Sequence, residues 1–270
     1  MWSALTMTKS RRQFTKLGSF SLAGAVLSGQ TTPQQVTPEA ALDAFPLQPP
    51  GVVREVVTVA HFDAKRLRSL VDAQPALARA AVDWGFGDWE DALGAASHMG
   101  NREIAEYLLS KGARPTIFSA AMLGHLDVIK AFVQAQPGVQ RTPGPHSISL
   151  LSHARAGGKQ AEVVFDYLNA LGDAGEPAAP QLTEEQAGLL AGTYTFGSQA
   201  DQRIDITRKG TQLTLTRPGK LGRGLIYQGE NRFHPAGSEA VRIEFGETSG
   251  STLLIVHDPN LILSARRSQP

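Results

Sequence analysis

One stretch of the chain repeats itself. ASHMGNREIAEYLLSKGA, residues 96–113, aligns with AAMLGHLDVIKAFVQAQPG, residues 120–138. In each, an alanine stands four places before a glycine (Ala96 and Gly100; Ala120 and Gly124) and an apolar residue stands four places after it (Ile104; Val128). An apolar cluster follows one turn later, Tyr107, Leu108 and Leu109 in the first copy and Ala131, Phe132 and Val133 in the second. This spacing predicts a helix, a glycine-closed turn and a second, amphipathic helix. Gly100 and Gly124 permit the left-handed conformation that ends the first helix, and small residues let that helix stack closely on a neighbour. A pair of this kind cannot bury its apolar face alone, so about three or more such units have to stack.

Two weaker copies extend the array. Val56–Ala76 fits with Asp63 at the glycine position and Leu67, Leu70 and Val71 on the second-helix face. SHARAGGKQAEVVFDYLNALG, residues 152–172, fits with Gly157 at the turn and about two extra residues before Val163. The pattern resembles the ankyrin repeat, through the AAxxG turn at Ala120–Gly124 and the LLxxGA helix end at Leu108–Ala113. The family's TPLH signature is replaced by DALG, residues 91–94, and by PTIF, residues 115–118, which keep only the apolar third position as Leu93 and Ile117. The turn positions 63, 100, 124 and 157 are irregularly spaced, and only the last interval equals the usual period of about 33. The resemblance implies a short array of four helix pairs over residues 51–173, presenting a concave face and loops to a protein partner.

After a proline-bearing linker and a short helix, residues 174–190, the hydrophobic period drops to two. LTEEQ, residues 182–186, opens that helix with Thr183 as N-cap and Gln186 at the third position. Ile204 with Ile206, Leu213 with Leu215, Val241 with Ile243 and Phe245, and Leu261 with Leu263 each mark one face of a strand. Turn residues punctuate them at Lys209–Gly210, RPGK from Arg217, GEN from Gly229, TSG from Thr248 and DPN from Asp258. About eight short antiparallel strands over residues 191–267 predict a small barrel or strongly curved sheet, and an α+β multidomain chain as a whole. GLLAGTYTF, LTLTRPG, RFHPAG and VRIEF resemble the lipocalin-like β domain that ends many bacterial penicillin-binding-protein-like hydrolases. That resemblance implies a small-ligand-binding or hydrolase-accessory role.

The first 29 residues carry Lys9, Arg11, Arg12 and Lys16 and no acid, followed by the uncharged LGSFSLAGAVL. Eleven residues are too few for a membrane span of about 20. SRRQFTK resembles the twin-arginine export signal through Arg11, Arg12, Phe14 and Lys16. It implies cleavage between Ala25 and Gln30, a linker over residues 30–50, and a periplasmic or otherwise extracytoplasmic product with no membrane span. Four of the 26 bases lie in that segment, so residues 30–270 hold 22 bases against 25 acids, about −3. That balance argues against nucleic-acid binding. The absence of cysteine excludes thiolate metal sites, thiol nucleophiles and disulfides.

Chemistry is thinly signposted. GxSxG, SxxK, HExxH, Walker and GxGxxG motifs are all missing. The seven histidines are scattered, and His146 and His153 have no carboxylate between them to complete a ligand set. No catalytic residue, metal or cofactor is therefore expected, and His125, just after its turn glycine, is expected to cap or pack that turn. VDWGFGDWEDA, residues 82–92, sets Trp84, Phe86 and Trp89 among four acids. These aromatics form a candidate partner-binding hot spot together with His98, Met122 and His125. The competing reading has Phe86 and Trp89 plugging the gap between the first two repeats while the acids solvate the loop. The expectation is an exported, non-enzymatic protein-interaction module.

Overall fold

The computed structural model describes residues 46–178, 180–248, 251–259 and 261–268. The export signal, with Arg11, Arg12, Phe14 and Lys16, and most of the linker after it lie outside the described residues.

Helices form in pairs: α1 (Pro50–Val59) with α2 (Ala64–Ala73), α3 (Ala92–His98) with α4 (Arg102–Ser110), α5 (Ile117–Leu123) with α6 (Leu126–Ala135), and α7 (Leu150–Ala156) with α8 (Glu162–Leu171). Local chemistry sets their starts. Asp91, Thr116 and Ser149 occupy the N-cap of α3, α5 and α7, and each side chain accepts the backbone N–H three residues on. Asp63 and Asn101 do the same for α2 and α4. Gly124 ends α5 with φ of +79°, and its α-carbon sits so close to the Gln160 carbonyl that a side chain there would collide with it. The two extra residues expected before Val163 are taken up by a 3-10 turn, Gly158–Ala161. Two apolar cores result, one built mainly from α1–α4 around Leu67, Leu93 and Leu108, the other from α5–α8 around Ile129, Leu150 and Leu168.

Between α2 and α3 the chain makes a short hairpin, β1 (Ala81–Asp83) with β2 (Trp89–Asp91), in which Val82 faces Glu90. Val82 is buried, so the register buries Glu90 as well.

The short helix α9 (Glu184–Leu190) starts with the expected capping box of Thr183 and Gln186. It leads into eight antiparallel strands: β3 (Gly192–Thr195), β4 (Arg203–Lys209), β5 (Gln212–Thr216), β6 (Arg223–Gly229), β7 (Arg232–Pro235), β8 (Arg242–Thr248), β9 (Ser251–Asp258) and β10 (Leu261–Arg267). Each pairs with its sequence neighbour, and β10 pairs with β3 to close a barrel. The protein is thus α+β, with a closed barrel rather than an open curved sheet. The period-two rows Ile204/Ile206, Leu213/Leu215 and Val241/Ile243/Phe245 point inward and pack with Tyr194 and Phe233. Leu261 departs from its expected role: it is 52% exposed, and Leu263 and Ala265 supply the inward row of β10. Leu182, Ala187 and Leu190 bring α9 onto the same core, where the Tyr194 hydroxyl donates to the Leu190 carbonyl at 2.8 Å. Among the described residues no helix is long and apolar enough to cross a membrane.

Candidate metal centre

Four side chains from separate segments converge beside the β1–β2 hairpin. His61 follows the end of α1, Glu90 lies on the buried face of β2, His98 is the last residue of α3, and His146 sits in the loop before α7. One ligand atom from each lies within 4.8 Å of all the others. Glu90, 1% exposed, is the hub. Its Oε1 is 2.9 Å from His98 Nε2, and its Oε2 is 3.5 Å from His61 Nε2 and 3.4 Å from His146 Nε2. The Trp84 indole also donates to Oε2, at 2.7 Å.

The far sides of two rings are already committed. His61 Nδ1 lies 3.0 and 3.1 Å from the carbonyl oxygens of Val57 and Thr58. A carbonyl can only accept, so Nδ1 carries the hydrogen and Nε2 is turned to the cluster. His146 Nδ1 lies 2.6 Å from Asp88 Oδ2, an acid only 2% exposed. Asp88 also accepts the His146 backbone N–H at 2.9 Å and a bond from the Arg223 guanidinium on β6. Imidazoles that ligate metals through one nitrogen and donate the other to a carbonyl or carboxylate are held in this same way.

Electrostatics follow from burial and partners. Burial alone would raise the Glu90 carboxyl, but the contacts with His146 and His98 and the charge of His146 and His61 outweigh it and hold the group at about 2. Burial would lower His146, yet Asp88 and Glu90 push it up to about 9. Asp88 is likewise held below the usual carboxylate range, burial being outweighed by His146 and Arg223. His153, fully buried with neither ring nitrogen bonded, is pushed down to about 4, chiefly by burial, and backs His98 as a neutral ring at 6.3 Å between centroids.

The loops that carry this cluster are strained. Phe86, His146 and Ser147 all have φ of +60°, a conformation that costs a non-glycine residue on the order of 1–2 kcal/mol. Contacts with the barrel hold both loops in place. Phe86 packs on the barrel core, Ser147 Oγ accepts the Gly237 N–H at 2.7 Å and donates to Glu239 at 2.5 Å, and Asp88 pairs with Arg223.

The fold brings two of the sequence-derived candidates, Trp84 and His98, together on Glu90 and separates the others from them. Trp84 packs against the α1–α4 core and bonds Glu90, Phe86 turns to the barrel, and Trp89 is 65% exposed. Phe86 and Trp89 therefore do not plug the gap between helix pairs. His98 belongs to the histidine cluster, whereas Met122 is fully buried in the helical core. A side chain with no exposed surface cannot contact a partner, so Met122 drops out. His125 is exposed and makes no capping bond from its side chain, contrary to expectation. Two of the four acids do not solvate the loop: Asp88 and Glu90 are among the most deeply buried polar residues, while Asp83 is exposed. His61, Glu90 and His146 carried no sequence signal of their own, because the partners lie 29, 8 and 48 positions apart along the chain. The nearest hint was the alternation DWE, which puts Asp88 and Glu90 on one face and Trp89 on the other.

Three imidazole nitrogens and one carboxylate oxygen make a ligand set of the kind that holds a transition-metal ion. Metal–ligand bonds of about 2.1 Å imply ligand–ligand edges of about 3.4 Å, close to the 3.4 and 3.5 Å separations here. No protein-family model and no curated protein matches the chain.

Proposed function

We propose that this is a metal-binding protein, holding one divalent transition-metal ion through His61, His98, His146 and Glu90. The observation that carries the reading is the ring orientation: His61 and His146 give Nδ1 to a carbonyl pair and to Asp88 and turn Nε2 onto the same carboxylate. Imidazole nitrogens with a single carboxylate suit zinc, iron, nickel or copper rather than magnesium or calcium. Four protein ligands fill a tetrahedral shell and leave no position for a metal-bound water, so the role the site supports is a structural one, an ion tying the end of α1, the β1–β2 hairpin, α3 and the loop before α7 together. His61 and His146 side chains, 20% and 25% exposed, give the ion a way in.

The centre also bears on the export signal expected from Arg11, Arg12, Phe14 and Lys16. Twin-arginine export carries folded cargo, and a metal loaded before export is a reason to fold first. The protein is accordingly proposed to act outside the cytoplasm. An Arg11→Lys, Arg12→Lys variant should stay behind, and its normal export would remove this part of the reading.

The main test is titration of chelator-stripped protein with cobalt(II) and zinc(II). One equivalent should bind, with visible cobalt bands typical of four-coordinate nitrogen and oxygen ligation, and His61→Ala and His146→Ala should each weaken it at least about tenfold, the scale of lost outer-shell support or more. A folded protein that takes up no stoichiometric ion would leave the cluster as an ion-pair network around a protonated His146. A second reading, the ankyrin-like interaction module, is favoured by the exposure of Trp89 at the hairpin edge. It requires that Trp89→Ala release a partner captured by the parent chain.

A further inference from the structure

The inward rows that fill the barrel turn basic at one end. On β5, Leu213 and Leu215 face the core and Arg217 is next in the same period of two; on β6, Leu225 faces the core and Arg223 is next before it. These two arginines, Arg54 of α1 and Lys220 of the β5–β6 loop line a cavity of about 570 Å³, within the range of small-molecule sites. Its apolar wall is formed by Trp84 and Phe86 of the β1–β2 loop with Leu215 and Leu221. We propose that this cavity binds a small organic anion, a phosphate or carboxylate carried on a flat apolar body.

Charge makes the case for the anion. Arg223 is matched by Asp88, but Arg54, Arg217 and Lys220 pair with no acid among the described residues. The Arg54 guanidinium lies over the Trp84 ring at 5.2 Å, and that of Arg217 lies over Phe196 at 5.0 Å with one long bond, 3.4 Å, to the Asp201 carbonyl. The single acid on the lining, Asp83, is turned to its own loop, where Oδ1 accepts the Gly85 and Gly87 N–H groups at 2.8 and 3.2 Å. Unmatched cations around a concave wall concentrate anions, and guanidinium forks match phosphate and carboxylate oxygens. The apolar wall argues for the organic body. An inorganic anion would leave Trp84, Phe86 and Leu221 against water, whereas an aromatic ring stacked on Trp84 would cover them.

The site does not rest on the metal reading, although Trp84 and Arg223 belong to both neighbourhoods, through Glu90 and Asp88 respectively. The test is calorimetric titration of the chelator-stripped full chain with 2-naphthyl phosphate, 2-naphthoate, 2-naphthol and inorganic phosphate. One equivalent of at least one naphthyl anion should bind, and 2-naphthol and inorganic phosphate should each bind at least about tenfold more weakly than that anion, about one charge-assisted hydrogen bond. The tighter of the two anions identifies the headgroup. Arg217→Ala with Lys220→Ala, both exposed positions, should leave the melting temperature unchanged and weaken anion binding at least about tenfold. Absence of saturable binding by both anions, equal affinity for 2-naphthol, or unchanged binding by the double variant would overturn the proposal. Because the protein is metal-free throughout, failure of the cobalt titration would not count against it, nor its failure against the metal centre.

Discussion

Replacing Asp88 by alanine should be among the most damaging single changes in the chain, and its partner Arg223 should determine how damaging. The Asp88 and Arg223 side chains are 1% and 10% exposed. Removing Asp88 leaves a buried guanidinium without its counter-charge and strips two donors of His146, the backbone N–H at 2.9 Å and Nδ1 at 2.6 Å. Breaking one side of a buried pair costs about 3–5 kcal/mol. With a urea slope of about 2–3 kcal/mol/M for a domain of this size, the midpoint should fall by about 1–2 M. Arg223→Met in the parent chain should cost less, about 1–3 kcal/mol, because His146 still compensates Asp88. In the Asp88→Ala background the same Arg223→Met change should stabilise, since it removes the orphaned charge. Urea unfolding of the four proteins by circular dichroism, chelator-stripped at pH 7, gives the cycle directly. If Arg223→Met destabilises both backgrounds by the same amount, the pair is not coupled and the reasoning from burial fails.

Three further outcomes are expected. Gly124→Ala should destabilise by more than the roughly 1–2 kcal/mol of left-handed strain, because its Cβ also meets the Gln160 carbonyl; thermal melts of the variant measure it. Thr183→Ala should cost about 1 kcal/mol by opening the capping box of α9, visible in the same assay. Glu176 is held at about 2 despite burial, which raises it, by hydrogen bonds from Ser152 and Ser149. Its stabilising share is therefore full above about pH 4.5 and is lost as pH falls through about 2, so Glu176→Gln should be less stable than the parent at pH 7 and the difference should close as pH drops below about 2.

Much of the barrel was legible because its signals are local. The turns at Gly210, Arg217–Lys220, Glu230–Asn231 and after Asp258 fall between strands, the third one residue later than its glycine signal, and the alternating rows of β4, β5 and β8 point inward. Leu261 is the exception, because alternation near a strand end does not say which residues lie past the closed core. The cap of α9 was readable from Thr183 and Gln186 alone. The candidate site was not. Residues 82–92 left two readings open, aromatics as a binding hot spot or Phe86 and Trp89 as a plug with solvated acids, and neither placed Asp88 and Glu90 in the interior, where the fold puts them while leaving Trp89 exposed.

The amino-acid sequence alone determined that residues near Gly100, Gly124 and Gly157 turn between helices, that the C-terminal block is a small β structure, and that thiolate chemistry is excluded. These are consequences of residue spacing and composition, which act within a few positions along the chain. Only the tertiary structure decided that the barrel closes, through β10 on β3, and that His61, Glu90, His98 and His146 share one site. Convergence of that kind depends on how helix ends and a hairpin are stacked, and on the barrel loops that brace Phe86, Asp88 and Ser147. A buried carboxylate among three imidazoles is an unfavourable arrangement for any local segment, and it becomes tolerable only when packing from distant parts of the chain provides every partner at once.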